Sequence, residues 1–282
     1  MIVKLINPQG YCGGVKNAIK TVNELEKTSK KVYLLGEIIH NKIIVNYYKN
    51  LGYILLSEKD GTKEDLIKDI KDSIIVLQAH GSSPKVYEIA KNNNNIIVDC
   101  TCPYVSLIHN KIKEYSNNGF DIIYIGSKKH QETIGSLSQA KNIHLVEKLS
   151  DLDNLDIKNE KIYVTNQTTM SMLDIDIIYQ NLKEKYPNII LDNKICLATT
   201  KRQQAVLDAE DSDLIIVVGD RESSNSNKLY ELAKKKTNAI FVEDLKELKL
   251  YNLSSYNKVL ITSGASTPNE TVNEIKDYLE SL

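Results

Sequence analysis

The sequence is poor in net charge and in long apolar runs. Its 282 residues include 36 basic and 37 acidic side chains, which leaves a formal net charge of −1. A chain with so little excess charge has no broad electrostatic attraction to nucleic acid or to a membrane surface. No stretch approaches the roughly 20 apolar residues that span a bilayer, and the polar N-terminus is unlike a signal peptide. We therefore predict a cytoplasmic protein that has neither nucleic acid nor membrane as a partner.

Cysteine is also scarce. The four residues are Cys12, Cys100, Cys102 and Cys196. Structural disulfides are rare in a reducing cytosol, so scattered cysteines there are more often metal ligands, nucleophiles or buried apolar side chains. Three of them are almost evenly spaced, with 90 residues from Cys12 to Cys102 and 94 from Cys102 to Cys196. A period of this length is too long for a solenoid repeat and suits a small domain.

The segments around the three evenly spaced cysteines are alike. Each cysteine follows a short apolar run and precedes a helical pattern, which leads into an aliphatic strand that ends in glycine and then into a polar cluster. The residues 28 positions after the cysteines are His40, His130 and Ser224. A second strand leads into a second polar cluster, and the residues 66 to 70 positions after the cysteines are His80, Thr168 and Ser266. The chain is therefore predicted to repeat one α/β unit three times.

Continuous apolar strands that alternate with helices predict parallel sheets covered by helices on both faces. We predict an α/β fold of three small domains related by a pseudo-threefold axis, each with a mainly parallel sheet. The predicted boundaries are 13–101, 102–195 and 196–282, and the N-terminal strand within 1–12 completes the third domain and closes the units into a ring. Ligands bind beyond the carboxyl ends of the strands in such sheets, so the cysteines and polar loops are expected to face one central cavity.

Three cysteines that meet at a threefold centre could bind zinc or an iron–sulfur cluster. Zinc sites usually draw two ligands from one short Cys-x₂₋₄-Cys segment, whereas these ligands lie about ninety residues apart. A cubane cluster held by three thiolates keeps one iron open as a Lewis acid and electron donor. We favour the cluster, with Cys12, Cys102 and Cys196 as ligands, over zinc or over buried apolar cysteines. Of the Cys100-x-Cys102 pair, only Cys102 falls on the repeat position, so we assign Cys100 a structural role.

Glu132 is the carboxylate of the polar loops that is best placed to donate a proton, because a buried carboxyl group can be tuned for acid chemistry. The alternative is a surface glutamate in a turn. His130 lies two residues before it, so the two form a His-x-Glu sequence. His109 and His144 lie outside the repeat positions and are interpreted as ordinary helix and strand residues.

The other polar side chains of these loops offer hydrogen-bond donors near helix N-termini, which suits an anion such as a diphosphate. They are His40, Asn41, His80, Thr168, Ser223, Ser224, Asn225 and Ser266. The chain has no P-loop lysine motif, so nucleoside triphosphate chemistry is not indicated.

Over essentially its whole length, the sequence resembles the 4-hydroxy-3-methylbut-2-enyl diphosphate reductase family of iron–sulfur enzymes. The motifs that carry the resemblance are 7–15 (NPQGYCGGV), 40–41 (HN), 79–81 (AHG), 101–103 (TCP), 130–132 (HQE), 167–169 (QTT), 196–200 (CLATT), 223–227 (SSNSN) and 264–266 (GAS). Two positions depart from the family pattern. Gln131 stands where the family usually has proline, which would loosen the loop that carries Glu132, and Cys100 is the other departure.

The resemblance implies a trefoil of three domains around one [4Fe-4S] cluster, which leaves one iron without a protein ligand. It implies an oxidoreductase that reduces (E)-4-hydroxy-3-methylbut-2-enyl diphosphate to isopentenyl and dimethylallyl diphosphates, the last step of the non-mevalonate isoprenoid pathway, with ferredoxin or flavodoxin as electron donor. Glu132, His130 and Thr168 would be catalytic. The substrate would be bound by His40, His80, His130, Thr168, Ser223, Ser224, Asn225 and Ser266. A monomer is expected, because the trefoil closes on itself.

Two other functions are compatible with the same residues. A redox-neutral iron–sulfur dehydratase would use the same open iron, and a non-enzymatic iron–sulfur sensor would use the cluster as a switch. The polar loops that suit a diphosphate favour the reductase over the dehydratase. The position of Glu132 among so many hydrogen-bond donors disfavours the sensor.

Overall fold

The structure, a computed structural model, describes residues 1–25 and 28–282. The described chain divides into two compact units. The smaller unit comprises Met1–Val15, His40–Lys42 and Cys196–Leu282, and the larger unit comprises Lys16–Ile39 and Ile43–Ile195. None of the described helices combines the length and the apolar character needed to cross a bilayer.

Helices and strands alternate along the described chain in a pattern that recurs three times. The first series is β1 (Ile2–Leu5), α1 (Gly13–Asn23), β2 (Val32–Leu35), α2 (Lys42–Asn50), β3 (Ile54–Leu56), α3 (Lys63–Ile67), β4 (Ile74–Leu77), α4 (Pro84–Asn92) and β5 (Ile96–Asp99). The second is α5 (Pro103–Asn117), β6 (Asp121–Ile125), α6 (Gln131–Leu137), β7 (Ile143–Val146), a 3₁₀ helix (Leu149–Asn154), β8 (Ile162–Asn166), α7 (Met172–Lys185) and β9 (Ile190–Leu191). The third is α8 (Leu197–Leu207), β10 (Leu214–Val218), α9 (Ser224–Lys236), β11 (Asn238–Val242), α10 (Leu245–Leu248), β12 (Lys258–Ser263) and α11 (Asn269–Glu280).

The strands form three four-stranded sheets that share one strand order. The orders are β3-β2-β4-β5, β7-β6-β8-β9 and β11-β10-β12-β1, and all the pairings between described strands are parallel. In the third sheet, Ile2 of β1 pairs with Lys258 of β12 and Leu5 pairs with Ile261, so the N-terminal strand completes that sheet, as predicted. The predicted fold class, three α/β units with parallel sheets, is confirmed.

The central strands are buried on both faces. In β10, Leu214, Ile216 and Val218 belong to one apolar core, whereas Ile215 and Val217 belong to a second. Successive side chains of a strand point to opposite faces, so this alternation means that helices cover both sides of the sheet. Burial of both faces explains why the central strands are continuous runs of Ile, Leu and Val rather than alternating polar and apolar residues.

The polar loops all leave the carboxyl ends of strands. The cysteines follow β1, β5 and β9, the first polar clusters follow β2, β6 and β10, and the second polar clusters follow β4, β8 and β12. In every sheet, the strands before the first and second clusters are hydrogen-bonded neighbours. Parallel neighbours end on the same edge of a sheet, so residues about 35 positions apart in sequence can meet there, as they do after β6 and β8.

Candidate active site

Glu132 lies in the first turn of α6, and Thr168 follows the neighbouring strand β8. The backbone N–H of Thr168 donates to Oε1 of Glu132 at 2.7 Å, and the Thr168 hydroxyl donates to Oε2 at 2.8 Å. The hydroxyl of Tyr124, on β6, lies 3.5 Å from Oε1. Glu132 is 1% exposed, so it is not a surface residue of a turn. Groups from two adjacent strands hold the carboxyl in one orientation.

The environment of Glu132 changes the pKa of its carboxyl group. Burial raises the pKa of the Glu132 carboxyl to about 7, although the hydrogen bonds from Thr168 and Tyr124 lower it. A carboxyl group with a pKa near neutrality is present in both protonation states at pH 7, which is the property that a general acid needs. The part that Glu132 plays in a reaction stays a prediction.

Two of the predicted histidines contact each other in the larger unit. The rings of His80 and His130 meet edge to face, with centroids 5.3 Å apart and an angle of 80° between the planes. Nδ1 of His130 accepts a hydrogen bond from the Glu132 backbone N–H at 3.2 Å, so Nε2 is the ring atom that can donate. Nδ1 of His80 lies 2.9 Å from Oε1 of Gln78. The fold thus brings together histidines from two different repeats, next to the start of the helix that carries Glu132.

The turn after His80 is supported by residues that the sequence does not single out. Gly81 has a φ of +82°, in the left-handed region that favours glycine. The Lys63 ammonium donates to the Gly81 carbonyl oxygen at 2.8 Å, and a Cβ atom at Gly81 would lie only 2.6 Å from Cε1 of His109. Burial lowers the pKa of His109 to about 4, so its ring is neutral at pH 7. The sequence predicts the helical position of His109 but not this packing against the His80 turn.

In the smaller unit, reciprocal hydrogen bonds join the loops that carry His40 and Ser266. The Ser266 hydroxyl donates to the His40 carbonyl oxygen at 2.9 Å, and Nδ2 of Asn41 donates to the Ser266 carbonyl oxygen at 2.8 Å. A serine hydroxyl has one proton, so in this arrangement Ser266 holds the loop, and its hydroxyl would have to reorient to donate to a ligand. His40 is half-buried beside this link.

Helix α9 begins with the predicted polar run in the smaller unit. Ser223 is the N-cap, and its hydroxyl accepts a hydrogen bond from the Ser226 backbone N–H at 3.4 Å. Ser224 is the first helical residue and is half-buried. Asn225 is 5% exposed, yet neither Oδ1 nor Nδ2 has a hydrogen-bond partner among the described residues. Because a buried polar group without a partner costs about 1–3 kcal/mol, this amide is suited to a ligand at the positive end of a 13-residue helix.

Each of the three evenly spaced cysteines directly precedes a helix. Cys102 and Cys196 are the N-caps of α5 and α8, and α1 begins one residue after Cys12. All three are half-buried, and the positive end of a helix suits an anionic sulfur ligand. Cys100 differs, because it is fully buried and burial, helped by the charge of Asp99, raises the pKa of its thiol to about 12. A thiol that stays protonated is a poor metal ligand, which agrees with a structural role.

Arg202, on α8, is a further residue that the sequence does not single out. It is 3% exposed, and its guanidinium donates to the carbonyl oxygens of Gly10 and, at 3.4 Å, of Ala198. Its Nε has no hydrogen-bond partner in the described part of the chain. Burial lowers the pKa of the guanidinium, and the negative charges of Cys12 and Cys196 raise it. A buried cation beside two cysteines fits an anionic, thiolate-bound group such as an iron–sulfur cluster.

Known relatives match the whole chain. A curated relative from Bacillus subtilis (strain 168) is 42% identical over 290 residues, which cover 100% of this chain and 91% of the relative. One from Lysinibacillus sphaericus (strain C3-41) is 41% identical over 290 residues, which cover 100% of this chain and 89% of the relative. Both relatives are named 4-hydroxy-3-methylbut-2-enyl diphosphate reductase.

Solved structures match as well. The E-1-hydroxy-2-methyl-but-2-enyl-4-diphosphate reductase from Plasmodium falciparum superposes with a TM-score of 0.90 at 36% identity, over 99% of this chain and 87% of that one. A structure of (E)-4-hydroxy-3-methyl-but-2-enyl diphosphate reductase, described as the terminal enzyme of the non-mevalonate pathway, superposes with a TM-score of 0.70 at 29% identity, over 100% of both chains. A family model described as LytB protein matches residues 3–280. This chain therefore belongs to the LytB protein family.

Proposed function

We propose that this chain catalyses the reductive dehydroxylation of (E)-4-hydroxy-3-methylbut-2-enyl diphosphate. The substrate takes up two electrons and two protons, the C–O bond to its hydroxyl group breaks, and the products are water and either isopentenyl or dimethylallyl diphosphate. Full-length relatives named as this reductase support the proposal, as does the solved structure named as the terminal enzyme of the non-mevalonate pathway. The reaction would be the last step of that pathway.

The buried pair of Glu132 and Thr168 is the observation that carries the proposal. Breaking a C–O bond is easier when the oxygen leaves as water than as hydroxide, so the reaction needs a positioned acid. Glu132, with a pKa of about 7, holds a proton for the departing oxygen. The Thr168 hydroxyl, 2.8 Å from Oε2, orients the carboxyl, and we assign it a contact with the same oxygen. His130 presents Nε2 beside the start of α6 as a further donor.

The diphosphate is assigned to the polar loops. The amide of Asn225 and the N-terminus of α9, with Ser223 and Ser224, supply donors without an excess of charge. His40, His80, His130 and Ser266 complete the proposed set of substrate-binding residues. Anchoring a part of the substrate that does not react fixes the orientation of the carbon that does.

The proposed cofactor is one [4Fe-4S] cluster per chain, bound by Cys12, Cys102 and Cys196, with one iron that has no protein ligand. When bound, such a cluster supplies electrons one at a time and a Lewis-acidic iron. The buried Arg202 and the positions of the cysteines at helix N-termini support an anionic group here. The pKa of about 12 for the Cys100 thiol supports leaving that residue out of the ligand set.

The remaining features of the proposal follow from the repeat. Three domains, 13–101, 102–195 and 196–282 with 1–12, would form a trefoil around the cluster. We propose a monomer in the cytoplasm that takes its electrons from ferredoxin or flavodoxin and has neither nucleic acid nor membrane as a partner. The identical strand order of the three sheets supports the repeat on which the trefoil rests.

The activity is tested directly by anaerobic assay. Protein with a reconstituted cluster is mixed with reduced methyl viologen and the hydroxylated allylic diphosphate, and dye oxidation is followed together with product by chromatography. Two moles of oxidised dye per mole of isopentenyl plus dimethylallyl diphosphate is the expected result. Consumption of the substrate without dye oxidation, with a dehydrated diene diphosphate as the product, would identify a redox-neutral dehydratase. No turnover at all with an intact cluster would favour a sensor.

The cofactor is tested separately from turnover. Protein purified without oxygen should be brown and contain iron and sulfide, and a colourless protein that contains zinc would contradict the cluster. Cys102→Ser should lose or damage the cluster, whereas Cys100→Ser, a matched change two residues away, should keep it. Cys12→Ser and Cys196→Ser are expected to behave like Cys102→Ser.

A further inference from the structure

The charge environment of two cysteines in the smaller unit is unusual. Arg202 is 3% exposed, and no carboxylate lies within ion-pair distance of it among the residues that the structure describes. Its guanidinium instead donates to the carbonyl oxygens of Gly10 and Ala198. Gly10 lies two residues before Cys12, and Ala198 lies two residues after Cys196. One cation therefore joins the two segments that carry these cysteines.

Helix geometry explains how Arg202 reaches this position. Side chains on a helix lean toward its N-terminus, and Cys196 is the N-cap of the helix that carries Arg202. The six intervening steps rise about 9 Å at 1.5 Å per residue, a distance that an extended arginine side chain can largely span. A long side chain that runs back along α8 thus places its charge near the cysteine.

A buried guanidinium without an anionic partner is unfavourable, because the desolvation of the charge is not compensated. The Nε of Arg202 also lacks a hydrogen-bond partner among the described residues. The chain contains two arginines, Arg202 and Arg221, among its 36 basic residues, so lysine is its general source of positive charge. Arginine at this buried position supplies a charge that does not depend on pH and a planar set of donors that holds two carbonyl oxygens at once.

We propose that Arg202 is the internal counter-charge of the iron–sulfur cluster, held beside Cys12 and Cys196 so that the reduced cluster is stabilised. The inference rests on the cluster of the proposed function and deepens it. Three thiolates give a [4Fe-4S] cluster a net negative charge, which reduction increases. Reduction potentials of such clusters depend on net charge, on hydrogen bonds and on exposure, so a fixed buried cation raises the potential. Arg202 acts through the cluster and does not contact the substrate.

The test measures the reduction potential of the reconstituted cluster without substrate. The cluster is titrated with reductant, and electron paramagnetic resonance monitors the reduced form. Arg202→Gln removes the charge, and Arg202→Lys keeps the charge but loses the planar donor set. Arg221→Gln is the matched control, because Arg221 is a half-exposed arginine of the same unit that is ion-paired with Glu247. Iron and sulfide are counted in every variant.

At a fixed potential, the ratio of reduced to oxidised cluster should be at least tenfold lower in Arg202→Gln than in the wild type, which is a shift of at least about 59 mV to more negative potential for one electron. Arg202→Lys should lie between the two, and Arg221→Gln should match the wild type. An unchanged potential in Arg202→Gln would overturn the inference. If Arg202→Gln binds no cluster, cluster binding by Arg202→Lys supports the counter-charge, and loss of the cluster from both variants overturns it.

The outcome is separable from the proposed function. Wild-type protein that turns over the allylic diphosphate, with an Arg202→Gln cluster of unchanged potential, would remove the inference and leave the function intact. Wild-type protein that binds no iron would remove both. Wild-type protein with a cluster but no turnover, together with a shifted potential in Arg202→Gln, would keep Arg202 as a counter-charge and remove the activity.

Discussion

Helices α6 and α9 begin at equivalent points of the repeat, yet their first turns are built differently. On α6, Glu132 is buried and both oxygens of its carboxyl receive hydrogen bonds from Thr168. On α9, Asn225 is almost as buried, but its amide has no hydrogen-bond partner among the described residues. The Glu132 carboxyl thus has its hydrogen-bond partners within the protein and a pKa near neutrality. The Asn225 site is incomplete without a ligand.

The contrast matches the proposed roles, a chemical one for Glu132 on α6 and a binding one for Asn225 on α9. A group that must deliver a proton benefits from a fixed orientation and a tuned pKa, which require partners in the protein. A group that binds a ligand keeps its donors unused until the ligand arrives, at a cost in stability of about 1–3 kcal/mol. Variants of the two helices should therefore affect different quantities. Substitutions at the start of α6 should lower turnover, whereas substitutions at the start of α9 should weaken the binding of substrate.

Glu132→Gln should have the largest effect, because it removes the proposed proton donor and keeps the shape of the side chain. Turnover with reduced methyl viologen should fall about 10³-fold, within the range for loss of a general acid, while iron and sulfide stay unchanged. Glu88→Gln, at an exposed position on α4, is the matched control and should keep full activity. Turnover within threefold of the wild type would remove Glu132 from the chemistry.

Gly81→Ala should disturb the turn after His80, against which the ring of His109 packs. The φ of +82° costs an alanine about 1–2 kcal/mol, and the contact of the new Cβ with His109 adds about 1–3 kcal/mol. We expect a loss of about 3 kcal/mol in denaturant unfolding and a fall in turnover. Gly119→Ala is the matched control, because Gly119 has a φ of +79° and a Cβ atom there would meet no described atom within 4 Å. An equal loss in both variants would mean that the His109 contact is unimportant.

The pH dependence of stability should reveal the tuned carboxyl. The pKa of Glu132 is raised from 4.5 to about 7 in the folded protein, so the folded state binds this proton more tightly than the unfolded state does. The stability that the proton contributes is complete below pH 4.5, is lost as the pH rises through about 7, and is absent above it. Glu132→Gln has no such proton, so its free energy of unfolding relative to wild type should rise by ~3 kcal/mol between pH 4.5 and pH 8. A constant difference across this range would contradict the raised pKa.

Asn225→Ala should weaken substrate binding without a loss of stability. Loss of hydrogen bonds to a charged ligand costs about 1.5–3 kcal/mol, so KM should rise at least tenfold. The free energy of unfolding of the ligand-free protein should rise by up to about 1–3 kcal/mol, because the variant removes a buried amide that has no partner among the described residues. Asn227→Ala should affect stability rather than binding, because Nδ2 of Asn227 already donates to the carbonyl oxygens of Arg221 and Ser223 at 2.7 and 2.9 Å. It should cost about 1 kcal/mol of stability. A destabilised Asn225→Ala with unchanged KM would reverse the comparison between the two helices.

The fold follows from the sequence because its causes are local. Apolar runs, helical spacing and the glycines after strands recur with the cysteines, and they suffice to predict three parallel α/β units and the pairing of β1 with β12. The hydrogen bonds of the site connect residues far apart in sequence, such as Glu132 and Thr168, 36 residues apart. The repeat places both in polar loops, but only the strand order β6-β8 makes them neighbours.

Residues whose importance depends on what buries them cannot be recognised from a local pattern in the sequence. His109 and Arg202 lie within regular helices, and neither falls on a landmark of the repeat. Their importance depends on what faces them: the close approach of Gly81 to one ring, and the two carbonyl oxygens and two cysteines near one guanidinium. The importance of both residues depends on packing between elements that are far apart in sequence, and no local sequence pattern encodes that packing.

Gln131→Pro should have the smallest effect. It tests whether the side chain at the first position of α6 supports the turn before Glu132. Gln131 is the first residue of α6, where the N–H has no intrahelical partner and proline is favoured. His130 has φ −78° and ψ 136°, a conformation that a following proline accepts. Proline should therefore stabilise the protein by ~0.5 kcal/mol in denaturant unfolding, whereas Gln131→Ala should not. A loss of stability would show that Gln131 itself supports the turn that presents Glu132, and the departure from the family pattern would then have a structural role.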